Sequence, residues 1–266
     1  MPNMRLGFGQ QKLRDLITHC LNYISNYGLN EEQLTHAISV IHEYKDIHEN
    51  NNYKLENETV NLINLLFSKT QLSKGCSQKE IARDDYFKYS NANFSDFSNS
   101  RSSVRNYTNQ VVPINLIINS IDLAKNTPSA CNRQCWRTYV FSEEHKLNEI
   151  LVLQGGNRGF GHLADKLIII TAEVGVFLSI SERNEAYIDG GMYAMNLLYA
   201  LHHNKIAACI LNCSHDVEKD KKMREICNIK DSEVFIAMIS CGYIPEKLKV
   251  ALSKRYSINN TNTVFY

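Results

Sequence analysis

The chain carries almost no net charge: 29 Lys and Arg against 28 Asp and Glu leave a formal +1. That balance removes a sequence-wide basic field as a basis for holding nucleic acid or an anionic membrane. Any anion must instead be met by a local cluster. No apolar run approaches bilayer length, since the longest, at 167–171 and 234–239, are strand-sized. Residues 1–10 lack a basic stretch followed by an apolar run and a small-residue cleavage site, so a soluble, cytoplasmic protein is expected. No internal repeat is visible. Neither a Ser/His/Asp constellation nor a pair of carboxylates at catalytic spacing stands out. The 8 cysteines include no C-x-x-C pair. Cys131/Cys135 and Cys209/Cys213 share a looser C-x-x-x-C spacing, with His215 near the second pair, and free thiols are expected over a zinc site.

A hydrophobic content of 44% over 266 residues is enough for one large domain or a catalytic domain with an appendage. Near the N-terminus Leu13, Leu16, Ile17, Cys20, Leu21 and Ile24 recur at helical spacing. Gly28 and Leu29 break the pattern. Asn30 is then placed to cap a second helix, with Gln33 as capping-box partner and Leu34, Ala37, Ile38, Ile41 and Tyr44 on its apolar stripe. Val60, Ile63, Leu66 and Phe67 form a third stripe. His19, His36, His42 and His48 make no metal-ligand pattern, so residues 1–69 read as a helical appendage that packs on the main domain or docks a partner protein. Residues 70–99 turn polar, with Tyr86, Phe87, Tyr89, Phe94 and Phe97 interspersed, and read as a linker lying along a surface. From residue 100 to 266 the pattern is mixed. Pro113 opens a helix with Ile114, Ile117, Ile118, Ile121 and Ala124 on its buried face. Strands are expected at 137–141, 166–171 and 234–240, and a helix apolar on most faces at 191–203.

Three separated segments can carry chemistry. Residues 100–107 read S-R-S-S-V-R-N-Y, in which Arg101 and Arg105 offer paired guanidinium donors around the hydroxyls of Ser102 and Ser103, a set suited to phosphate or carboxylate. Residues 127–137 read T-P-S-A-C-N-R-Q-C-W-R, a helix-to-strand turn presenting the amides of Asn132 and Gln134. An amide both donates and accepts, which suits the edge of a heterocycle; equally, Asn132 can bond its own backbone in a tight loop. Residues 252–256, L-S-K-R-Y, are alone only a charged end of an element. A glycine-rich run at 155–162 lacks the Lys–Ser pair of a phosphate loop and reads as a lid or a plain surface loop, with Phe160 and His162 within it.

Taken together, R-S-S-V-R, then A-K-N-T-P-S-A-C-N-R-Q-C-W-R, then S-K-R resemble, in order and spacing, the motifs of the nitroreductase family. D-G-G-M-Y-A-M-N-L-L at 189–198 is similar to the family's central helix, which packs across a dimer interface, and residues 237–245 resemble its late strand and Gly-x-x-Pro turn. The resemblance spans residues 100–266 and implies an α+β fold: a central antiparallel or mixed sheet flanked by helices, with the N-terminal helices outside it. It implies an FMN cofactor, NADH or NADPH as co-substrate, a homodimer, and no nucleic acid or membrane partner. By position, Arg101 and Ser103 would hold the FMN phosphate, with Arg255 returning to share its charge. Ser102 stands where the family is more often basic. Arg105 would lie by the N1/O2 edge of the ring, a positive charge where negative charge develops. Asn132 and Gln134 would meet the pyrimidine side.

Two positions depart from the family. Cys135 replaces the proline after the glutamine. Where members that reduce nitro compounds carry a Pro-x-Glu-Gly-like stretch, this chain reads A-C-I-L-N-C, so backbone of Asn212 and Cys213 would approach flavin N5. The resemblance implies ping-pong hydride transfer from NAD(P)H through the flavin to a small acceptor such as a nitroaromatic, quinone or enone. The alternatives are a specialised flavin dehydrogenase or oxidase acting on a biosynthetic intermediate, and a flavin-binding regulatory module without turnover.

Overall fold

A computed structural model of the chain describes residues 5–29, 32–70 and 77–266. The chain divides into two compact units, one made of the described residues up to Lys79 with Ala251–Tyr266, the other of Glu80–Val250. No described helix is long and apolar enough to cross a membrane.

In the first unit, α1 (Gln10–Tyr27), α2 (Glu32–Asn50) and α3 (Asn57–Lys69) enclose a core of Leu13, Ile17, Leu34, Ile38, Ile41, Ile63 and Leu66. These are residues of the three sequence stripes, so amphipathic periodicity alone builds the unit. The α1 helix stops where Gly28, at φ 81°, turns its N–H back to the Ile24 carbonyl. Asn30, expected as a cap, lies outside the described residues. The histidines here do structural work: buried His48 accepts from the Gly7 N–H at 2.9 Å through Nε2, so its Nδ1–H donates to the Tyr44 carbonyl at 2.7 Å. His42 stacks on Phe67 with ring centroids 3.9 Å apart.

From residue 78 the order is β1 (Gln78–Ala82), α4 (Arg83–Phe87), α5 (Phe94–Ser100), α6 (Ile114–Ala124), β2 (Trp136–Phe141), α7 (Glu144–Gln154) and β3 (Lys166–Glu173). It continues with α8 (Glu185–His203), β4 (Ala207–Leu211), α9 (Val217–Cys227), β5 (Glu233–Gly242) and β6 (Lys247–Ala251). Strands β2, β3, β5 and β4 form an antiparallel sheet in that order, and β1 pairs with β6 in a separate ribbon. The fold is the expected α+β arrangement of a helix-flanked antiparallel sheet.

Helices cover both faces of this sheet, which explains why β3 reads as an unbroken apolar run. Leu167 and Ile169 pack with Leu147, Ile150 and Met223 of α7 and α9, while Ile168 and Ile170 pack with Ile117, Leu197 and Leu201 of α6 and α8. Residues 77–100 contribute β1, α4 and α5, and Tyr86 and Phe87 enter the core. Two expectations need correction. The α8 helix starts at Glu185, six residues before the expected start at Gly191. Gly190 lies inside it, where a Cβ would come within 2.6 Å of Ile236 Cγ1, so the glycine is there for close helix–sheet packing. On α6, Ile117 and Ala124 are buried, but Ile114 and Ile118 are 50% and 56% exposed.

The last turn of α8 buries His202 among Tyr86, Phe87 and Phe97. Burial, with help from the nearby cations Arg101 and His203, pushes its pKa down to about 4. The folded protein thus keeps this ring neutral, whereas the unfolded chain takes up a proton as pH falls below about 6.5. Acid therefore favours unfolding through this group between about pH 6.5 and 4, by roughly 3 kcal/mol at the lower end. The acid limb of the stability profile should flatten in His202→Phe, measured by urea unfolding at stepped pH. Independently, Ile168→Ala, at a position buried on β3 against Ile239, should cost about 2–5 kcal/mol in the same assay.

Candidate functional site

Residues 101–108 form no helix or strand, yet they are held at both ends and from beneath. Val104 N–H donates to the Ala208 carbonyl of β4 at 3.0 Å, and Thr108 N–H donates to that of Tyr243 at 2.8 Å. The fully buried Tyr107 hydroxyl lies 2.8 Å from the Val104 carbonyl and 2.9 Å from that of Ser240. Desolvation drives its pKa well above the ordinary tyrosine value, so it remains a neutral donor. Gly242 makes room for the ring, since a Cβ there would sit 3.1 Å from it. Upstream, the Tyr86 hydroxyl donates to the Ser102 carbonyl at 2.7 Å, and Ser100 Oγ lies 2.8 Å from His202 Nε2.

This bracing lays the stretch that carries Arg101, Ser103 and Arg105 against β4 at Ala208. Burial raises the pKa of the Cys209 thiol on that strand, and the charges of Arg105 and Arg101 work against it. Arg105 is exposed, and its guanidinium lies 5.9 Å from the centre of the Phe160 ring. Two guanidiniums and a hydroxyl on one short braced segment are the donor types a phosphate monoester needs. Ser102 is fixed through its backbone. Phe160 lies in the core, while His162 is exposed. The 155–162 run is pinned rather than free to act as a lid: buried Asn157 donates to Gln154 Oε1 at 2.9 Å, and its carbonyl accepts the Phe160 and Gly161 N–H groups. Nearby, the Asn212 carbonyl accepts from Gln154 Nε2 at 3.2 Å, and Cys213 packs against the core, its thiol raised to about 12 by burial.

The turn at 129–135 is unusual in its backbone. Cys131, Asn132 and Gln134 hold φ of 50°, 55° and 48°, the left-handed region that costs most non-glycine residues energy. Local bonds over-determine it. Ala130 N–H donates to the Asp189 carboxylate at 3.1 Å, Gln134 N–H to Ser129 Oγ at 3.0 Å, and Arg133 pairs with Glu182 at 2.7 Å. The exposed amides of Gln134 and Asn132 meet each other, Nε2 to Oδ1, at 3.1 Å. Such local bonding is what a strained backbone needs to persist.

The two segments are not adjacent in one chain. The turn is tied to α8 at Asp189 and the arginine segment at His202, thirteen residues and about 20 Å further along the helix. Arg255 belongs to the other unit, where it is exposed and its Nη1 donates to the Ser253 carbonyl at 2.7 Å. A cleft of 580 Å³ lined by Arg83, Phe87, Lys88, Gln110, Lys205 and Tyr243 includes none of the arginine-segment donors. Tyr86, Tyr107 and His202, which fix the segment, escaped sequence reading. Their only trace was an aromatic residue in a polar stretch, the Tyr after R-S-S-V-R-N, and a histidine pair at a helix end.

Comparison with known proteins bears on the fold and family of this region. No curated protein sequence matches the chain. Among solved structures, a nitroreductase family protein from Streptococcus pneumoniae is 22% identical over 65% of this chain and 100% of its own, with a TM-score of 0.57. A candidate nitroreductase from Desulfovibrio desulfuricans in complex with FMN is 17% identical over 65% and 96%, at 0.56. An FMN-dependent nitroreductase from Clostridium difficile is 22% identical over 64% and 96%, at 0.50. These likenesses establish a shared fold. The family model described as Nitroreductase family matches residues 99–243, from the arginine segment to the end of the central sheet, and the chain belongs to that family.

Proposed function

We propose that the protein is an FMN-dependent oxidoreductase, working as a homodimer, that passes reducing equivalents from NADH or NADPH to a small organic acceptor. The braced segment that carries Arg101, Ser103 and Arg105 on β4, in a chain of this family, carries the reading. Arg101 and Ser103 bind the cofactor phosphate. Arg105 keeps a positive charge beside the ring, and the backbone of Asn212 and Cys213 is assigned to the reactive edge. Bound FMN supplies the hydride chemistry, so no side chain need act as nucleophile or general base. The protein's residues orient the ligands and set the local field.

What one chain leaves open supports the homodimer. Ile114 and Ile118 of α6 and Tyr187, Ile188, Met192 and Met195 of α8 are exposed, an apolar spread that a second copy would cover. Because α8 holds the 129–135 turn about 20 Å from the arginine segment, Asn132 and Gln134 are assigned to the cofactor bound by the partner chain. The acceptor is a nitroaromatic, quinone, enone or dedicated metabolite.

Purified protein should show the absorption of oxidised FMN and bleach anaerobically on adding NADH or NADPH; flavin without bleaching would leave a binding module, and no flavin would overturn the proposal. Arg101→Ala should weaken FMN about 10- to 100-fold in fluorescence titration, as expected for a charged hydrogen-bonded contact, while leaving riboflavin unchanged. Met192→Glu should shift the protein to monomer in light scattering and lose FMN with it. Retention of FMN by that monomer would refute the shared site.

A further inference from the structure

His202 is 1% exposed, and its ring is packed by Tyr86, Phe87 and Phe97 at centroid distances of 5.3, 5.5 and 5.5 Å. Its Nε2 lies 2.8 Å from Ser100 Oγ, which in turn lies 2.8 Å from the Phe97 carbonyl. A serine hydroxyl has one proton to give. Donated to Phe97, it leaves the oxygen free to accept, so the ring carries its proton on Nε2. The other nitrogen, Nδ1, is then a bare acceptor, buried and without a partner among the described residues. An apolar ring would fill the same aromatic nest without that orphaned atom. What a histidine adds, and phenylalanine cannot, is the N–H that fixes Ser100.

Ser100 immediately precedes Arg101. One residue further, the Tyr86 hydroxyl donates to the Ser102 carbonyl at 2.7 Å, and Tyr86 also packs edge-on to His202. The two rings thus grip residues 100–102 from the buried side. Arg101, Ser103 and Arg105 lie on the adjoining stretch, which is bonded to β4 through the Val104 N–H and the Ala208 carbonyl.

We infer that His202 is a positioning residue for anion binding: through Ser100 it sets the backbone from which Arg101 and Ser103 reach a phosphate monoester, without itself touching the ligand. The inference rests on the reading that this segment takes the FMN phosphate, and it adds a buried residue on which that affinity depends. With the segment pre-set, less ordering is needed when the phosphate arrives.

The test is a fluorescence titration of the full-length flavin-free protein with FMN and with riboflavin, which lacks the phosphate. The wild type should prefer FMN. His202→Phe keeps the flat ring and removes the donor, and should reduce that preference about tenfold, the scale of one lost hydrogen bond, with riboflavin binding unchanged. His202→Gln, which retains an N–H donor of similar reach, should restore part of the preference. Ser100→Ala lies outside the aromatic nest and should reproduce the loss with an unchanged melting temperature, so the test survives even where His202→Phe folds poorly. An unchanged FMN-to-riboflavin ratio in Ser100→Ala and His202→Phe, or equal weakening of both ligands, would overturn the inference. A wild type that binds riboflavin as tightly as FMN would instead overturn the phosphate reading, and the inference with it.

Discussion

An irregular backbone in a packed interior must find a partner for each buried N–H and C=O outside any ladder of its own. Residues 101–108 are under that constraint, and much of the second unit is arranged to meet it. Tyr107 is buried to bring one hydroxyl to two carbonyls, and Gly242 is glycine so that the tyrosine ring fits. The β4 strand lends Ala208, and the end of β5 lends Tyr243. Because these bonds come from β4 and from β5 and its end, the segment is tied to the sheet beneath it, although no helix or strand period marks it in the sequence. Arg101, Ser103 and Arg105 inherit that rigidity.

The α8 helix organises the unit in a second way. One side, through Gly190, Ala194, Leu197 and Leu201, lies against the sheet; the other leaves Met192 and Met195 open. Its two ends each hold an irregular segment, the strained turn at Asp189 and the arginine segment at His202. The same helix therefore supports the core, spaces the binding segments and presents an apolar surface.

The three N-terminal helices and the buried strand at 166–171 were legible because burial leaves a periodic trace: period 3.6 where one face is covered, an unbroken apolar run where both are. The arginine segment was legible through its residue types and the family motif. Other features were not. Ile114 and Ile118 fall on helical spacing whether they meet their own core or another molecule, so periodicity could not separate the two. Gly190 and Gly191 looked like a helix boundary, since a sequence does not reveal that Ile236 lies across from one of them. The roles of Tyr86 and His202 depend on contacts spanning 16 and 102 residues, which no local pattern records.

The spacing along α8 has a thermodynamic consequence. On the proposed homodimer, a ligand reached by both irregular segments would bridge two chains, and occupancy and assembly would be linked equilibria. Ligand would tighten the pairing of chains by the same factor by which pairing tightens ligand. For such an arrangement, dilution and cofactor depletion are two routes to the same state.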